Sequence, residues 1–145
     1  MSNTENSAIK FIITLGKTAS VLSNRLDRGL GGLGFTEFLI LYYLNQAEEQ
    51  KMSRVDLAAK VGLTASGITR LLLPMEKVHV VKSGPQEQDA RVRSVTITSA
   101  GKQKLEEAVE RVEIFATDII AKDKLNKLDE ISDLLLEIAG RALVV

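Results

Sequence analysis

The chain has 145 residues, with 19 Lys+Arg against 19 Asp+Glu, a single His and no Cys or Trp. Zero net charge excludes a uniformly basic nucleic-acid coat protein and a polyanionic disordered tail, and the lack of cysteine excludes disulfide frameworks, thiolate metal sites and thiol redox sensing. At 45% apolar and 26% charged, a chain of this length buries roughly two thirds of its unfolded surface, which predicts one domain over residues 1–145, or one domain plus a helical extension. Helical periodicity runs from Ala8 to Leu30 through Ile9, Ile12, Ile13, Leu15, Ala19, Leu22 and Leu26, and the glycines at 29, 31, 32 and 34 end it. A second helix follows from Thr36 as N-cap and is apolar on most sides, so it is expected to be central and buried.

Ser53, with Asp56 three residues on, approximates a capping box and opens a short helix to Lys60, which Gly62 breaks. Thr64 caps the next helix, with Ile68, Leu71, Leu72 and Met75 on one face and Pro74 near its end. Val80 to Lys82 reads as a strand, Ser83-Gly84-Pro85 as turn chemistry, and Arg91 to Thr98 as a second strand rich in β-branched residues, giving one β-hairpin. After a break at Ser99-Ala100-Gly101, Leu105 to Ile119 marks a long amphipathic helix, and Leu125 to Ala142 a last one. The apolar run Phe38 to Leu44 falls well short of the roughly 20 residues of a membrane span, and residues 1–7 carry no signal pattern. A cytoplasmic protein with no membrane partner is the expectation.

The segment Arg54 to Leu72 carries the most information. Ala58 lets a second helix cross closely, Gly62 can take the positive φ of a tight turn, and Leu57, Leu63, Ile68 and Leu71 supply a small core: the residue types of a helix-turn-helix. Thr64, Ala65, Ser66, Thr69 and Arg70 remain on the outer face of the second helix, short enough to enter a major groove and able to donate to bases or phosphates. An ordinary solvated helix face is the bland reading of the same residues. The hairpin that follows, with Lys82, Arg91 and Arg93 at or near its tip, has the arrangement of a wing that reaches phosphates or a minor groove.

The string from Asp89 to Gly101 (D-A-R-V-R-S-V-T-I-T-S-A-G) resembles the D-x-R wing motif and L-T-x-x-G ending of MarR-type transcriptional regulators. Leu63 to Arg70, then Leu73-Pro74-Met75-Glu76-Lys77, is similar to that family's recognition helix and its exit. The resemblance implies a mainly α fold with one β-hairpin: a winged helix-turn-helix over 36–98, with dimerisation helices at 8–30 and 102–143. It further implies a homodimeric regulator whose two wings straddle a palindromic double-stranded operator, with Ser66, Thr69 and Arg70 in the major groove, Arg91 in the minor groove and Asp89 orienting the wing. Together with the exposed-face reading this makes Arg54, Thr64, Ala65, Ser66, Thr69, Arg70, Arg91 and Arg93 the expected DNA-binding residues and repression the expected role. His79 stands where the family commonly has Gly before the first wing strand, and Ile97 replaces the usual Leu.

The long apolar stripes of the first and last two helices exceed what a small winged-helix core covers, which agrees with self-association. Members of the family often bind small aromatic or lipophilic acids, so the resemblance also implies a small-molecule effector, with Phe11, Phe38 and Tyr42 as candidate pocket residues. A plain core role fits those aromatics equally. One His without Cys or a tight acidic cluster supports neither a metal site, a cofactor nor an enzyme. A winged-helix protein-interaction module without specific DNA binding is the alternative function. Zero net charge conceals a sorting: Ser53 to Lys104 carries nine Lys+Arg and four Asp+Glu, a net +5, and the rest of the chain −5.

Overall fold

The computed structural model describes residues 2–85 and 92–143, so Asp89 and Arg91 lie outside the described residues. Helix α1 (Asn3–Gly29) begins five residues before the expected Ala8. Ser2 and Glu5 explain the early start. Ser2 Oγ accepts from the Glu5 amide at 3.2 Å and Glu5 Oε2 accepts from the Ser2 amide at 2.9 Å, a reciprocal capping box. Helix α2 (Phe35–Gln46) starts before Thr36, which is therefore not its cap. Its first amides are satisfied by carboxylates instead: Glu37 Oε1 accepts from Gly34 at 3.3 Å, and Asp27 Oδ1 of α1 accepts from Phe35 at 2.7 Å. As its all-round apolarity implies, α2 is central, with Phe38, Ile40, Leu41 and Leu44 buried.

A short strand that the sequence pattern did not reveal follows. β1 (Lys51–Ser53) pairs antiparallel with β3 (Ser94–Ile97), placing Met52 opposite Val95, and β2 (Val81–Ser83) pairs with the other edge of β3, placing Lys82 opposite Thr96. The expected hairpin is thus two thirds of a three-stranded sheet ordered β1-β3-β2. Three residues are too few for alternation to show in a sequence, and β1 exists because β3 offers it an edge.

Helices α3 (Arg54–Val61) and α4 (Ala65–Lys77) fall where the caps and Gly62 place them. Leu57, Ala58, Ile68, Leu72 and Met75 join α2 and the inward Val95 and Ile97 of β3 in one core. Two expected core residues do not. Leu63 is exposed and Leu71 is half-buried, because the turn residue Leu63 sits outside the helix crossing and Leu71 at its rim. Helix α4 runs on through Pro74 to Lys77, and the Val78 amide reaches the Pro74 carbonyl at 3.2 Å.

The segment 99–101, expected as a break, is the first turn of α5 (Ser99–Ile119). Thr98 organises it: its amide donates to the Val80 carbonyl at 3.1 Å, its hydroxyl donates to the His79 carbonyl at 2.6 Å and accepts from the Gly101 amide at 3.0 Å. Gly101 is buried there, and a glycine is needed because a Cβ would overlap the Val80 carbonyl oxygen and the Ile97 side chain. His79 takes φ 63°, the left-handed conformation that a glycine adopts without strain.

The chain divides within α5 into two compact units, residues 1–111 and 112–145. In the first, α1 leaves Ile12 and Ile13 exposed at 58% and 66% and buries Leu26. In the second, a 3-10 turn (Lys122–Lys127) holds Leu125, expected on a helix, and α6 (Leu128–Leu143) has no fully buried residue among those described, with Ile131, Leu134 and Leu136 exposed. Glu106, Glu107, Glu110 and Glu113 form the solvated face that their spacing implies.

Two substitutions at this junction should act in opposite directions. Gly101→Ala is expected to destabilise the protein by about 1–3 kcal/mol through overpacking, and His79→Gly to stabilise it by about 0.5–1 kcal/mol by relieving left-handed strain. Urea unfolding of the two variants beside the parent chain checks both.

Candidate nucleic-acid interface

The α3–turn–α4 unit is built from three local devices. Ser53 Oγ accepts from the Asp56 amide at 3.2 Å and caps α3; the Asp56 carboxylate makes no return bond, so the capping box is half complete. Gly62 closes α3 in the left-handed conformation, φ 81°, and its amide and that of Leu63 both reach the Ala58 carbonyl at 2.9 Å. Thr64 Oγ1 then accepts from the Gly67 amide at 3.1 Å to cap α4, with Ser66 Oγ 3.2 Å away. On the outer face of α4, Thr64, Ser66 and Arg70 are exposed, and Ala65 and Thr69 half-buried.

The wing strands leave Lys82 exposed on β2 and tie Arg93 to the opposite strand: Arg93 Nε donates to the Gly84 carbonyl at 3.1 Å, while the Gly84 amide donates to the Ser94 carbonyl at 2.8 Å. Arg93 is consequently half-buried at the loop end of the paired strands, with its charge beside a shallow cleft of about 440 Å³ that Glu76, His79, Lys82 and Ser83 also line.

Arg54 stands apart from the other expected contact residues. It is 5% exposed, so the expectation that it meets DNA gives way to an internal role. Its Nη1 donates to Thr69 Oγ1 of α4 at 3.0 Å, and Nη2 donates to Ser83 Oγ of β2 at 3.1 Å and lies 3.9 Å from Glu76 Oε1. Ser83 Oγ in turn donates to Glu76 Oε1. Burial lowers the guanidinium's pKa from its usual value, Glu76 opposes the shift and the nearby Arg93 adds to it; the group nevertheless remains charged at any physiological pH. Arg54 thus joins α3, α4 and β2 at one point. Neither Glu76, read only as part of a helix exit, nor Ser83, read as turn chemistry, was marked in the sequence as a partner of Arg54, since nothing in periodicity marks an Arg as buried, and the acceptors gathered around it are 15 to 29 residues distant.

The aromatic residues are divided. Phe38 is packed in the core, with ring centroids 6.0 Å from Phe35 and 6.2 Å from Tyr42. Phe11 and Tyr42 are each 38% exposed, and Phe11 is not part of this ring cluster. A cleft of about 430 Å³ in the first unit is lined by other residues, among them Leu33, Glu37, Val80, Gln103 and Lys104. Among the described residues no group of three or more His, Cys, Asp or Glu is placed to hold a metal ion.

No protein-family profile matches the chain. It is 25% identical over 108 residues to the HTH-type transcriptional repressor YetL of Bacillus subtilis, an alignment that spans 73% of this chain and 65% of that protein. Among solved structures it is similar to the transcriptional regulator BldR of Sulfolobus solfataricus, with TM-score 0.78 and 24% identity over 97% of this chain and 99% of that one. It is also similar to Sco3205 of Streptomyces coelicolor, a MarR family transcriptional regulator solved in complex with DNA, with TM-score 0.70 and 21% identity over 94% and 88% of the two chains.

The Arg54 cluster gives an electrostatic test. Removing the carboxylate in Glu76→Ala leaves a buried guanidinium with less compensation and is expected to lower unfolding free energy by about 2–3 kcal/mol, whereas Glu76→Gln, which still accepts from Ser83, should cost less. Urea denaturation at neutral pH separates the two.

Proposed function

We propose that this chain, which has the winged-helix fold of the MarR-type regulators, is a sequence-specific DNA-binding transcriptional regulator that works as a homodimer. The observation that carries the reading is the outer face of α4: a capped helix whose exposed side chains are short hydroxyls and one guanidinium, beside a hairpin bearing Lys82 and Arg93. A major groove admits a helix of that kind, and phosphates attract the net +5 of the surrounding segment. Thr64, Ala65, Ser66, Thr69 and Arg70 are assigned to the major groove and Arg91 and Arg93 to the phosphates or minor groove at the wing. Asp89 is assigned to orienting the wing. The DNA complex of Sco3205 supports the DNA partner, and the repressor role of YetL supports repression.

Exposed apolar side chains on α1 and, separately, on α6 support a dimer, since stripes of this size are ordinarily covered by a partner. Release by a small aromatic or lipophilic acid completes the proposal. Phe11 and Tyr42, each partly exposed, are its pocket residues on this reading; Phe38 is buried in the core beside Tyr42.

Mobility shifts against fragments of the host genome test the central claim: a preferred fragment and a steep loss of binding between low and moderate salt are expected. Salt-independent binding, or none, would favour the protein-interaction module instead. Arg70→Ala should weaken binding to the preferred fragment by about 1–3 kcal/mol. Self-association is read by sedimentation, where the parent chain is expected to run as a dimer and a variant with Ile131→Glu and Leu134→Glu as a monomer.

A further inference from the structure

Thr69 stands on the proposed reading face, between the exposed Ser66 and Arg70, and is itself half-buried because its hydroxyl turns toward Arg54. A threonine hydroxyl has one proton to donate and lone pairs to accept with, so an unengaged one meets donors and acceptors in a groove without preference. Here one lone pair is taken by a cation: Arg54 Nη1 donates to Thr69 Oγ1 at 3.0 Å. The proton is free. Helical threonines commonly donate back to the carbonyl four residues earlier, as Thr117 does to Glu113 at 2.9 Å, yet Thr69 makes no such bond among the described residues. The guanidinium cannot swing away, because Ser83 and Glu76 hold its other terminal nitrogen.

We infer that Arg54, without touching DNA, is a positioning residue that sets base selectivity by leaving the Thr69 hydroxyl to act as a donor. In a major groove the acceptors that distinguish bases are the keto oxygens, O6 of guanine and O4 of thymine; at the same edge positions adenine and cytosine carry amino groups that donate. A hydroxyl polarised to donate therefore favours a keto base where Thr69 meets the groove. The inference rests on the DNA-binding reading.

The test starts from the operator that the parent chain selects from randomised duplexes, with competition binding to every single-base variant of it. The position read by Thr69 is the one whose selectivity disappears in Thr69→Val and survives in Thr69→Ser. The parent chain is expected to prefer a keto over an amino base there by roughly threefold to tenfold, the worth of one hydrogen bond. Arg54→Met, or Arg54→Lys if the former does not fold by circular dichroism, is expected to lose that preference while selectivity elsewhere and the salt slope are kept. A loss of fold alone would not produce that pattern. An amino base at the Thr69 position, a folded Arg54 variant with the preference intact, or no selectivity change in Thr69→Val overturns the inference. If neither Arg54 variant folds, a duplex lacking the keto oxygen, such as one with 2-aminopurine for guanine, decides. It should weaken the parent chain and leave Thr69→Val unaffected, and an equal response of the two overturns the inference. A parent chain that selects no sequence refutes DNA reading itself, a different result from any of these.

Discussion

A guanidinium buried in the middle of a small lobe has to be compensated, because moving a charge out of water costs several kcal/mol unless paired and hydrogen-bonded groups replace the solvent. Arg54 is in that position, and its compensation comes from Thr69, Ser83 and Glu76, on two elements other than its own. The arrangement makes α3, α4 and β2 mutually dependent: none can shift far without exposing a charge to an unsatisfied interior. Nε of Arg54 is the one buried side-chain nitrogen or oxygen without a hydrogen-bond partner among the described residues, so the compensation is incomplete even in place. The α4 face and the loop end of the wing strands are consequently held at one spacing, which apolar packing, indifferent to direction, supplies less well.

Around that cluster the backbone is drawn tight at two places. Gly62 lets α3 and α4 meet with no linker beyond Leu63 and the cap Thr64, and Gly101 lets α5 begin directly against the strand pair that forms the wing. Thr98 joins the second junction by three hydrogen bonds, to Val80, His79 and Gly101. His79, beside it, holds a conformation costly for a side chain with a Cβ, so part of the stability gained from Thr98 offsets that strain.

Charge and apolarity are distributed in a complementary way. The basic excess belongs to residues 53–104 and the acidic residues of α5 form an exposed face, while α1 and α6 carry many of the exposed apolar side chains, with Val55, Leu63, Leu73 and Val78 exposed inside the basic segment as well. Phosphate is met best where cations gather and a protein partner where apolar surface is left uncovered, so the two proposed partners are assigned to different parts of the same chain.

Much of this was legible in the residues before any coordinates. Ser53, Gly62 and Thr64 act through atoms within four residues of themselves, and the apolar spacing of α2 and α4 records which faces turn inward, so the helix-turn-helix could be read locally. Thr36, plausible as a cap by residue type, lost to Glu37 and Asp27, whose carboxylates reached the α2 amides first. What required the tertiary structure was everything that depends on a distant partner. β1 is a strand because β3 lies beside it; Gly101 is needed because Val80 passes over it; Leu63 is exposed because the helix crossing leaves it outside. Arg54 is the clearest case, since it was expected among the DNA-binding residues. Three acceptors brought together by folding, none adjacent to it in the chain, turned it inward instead.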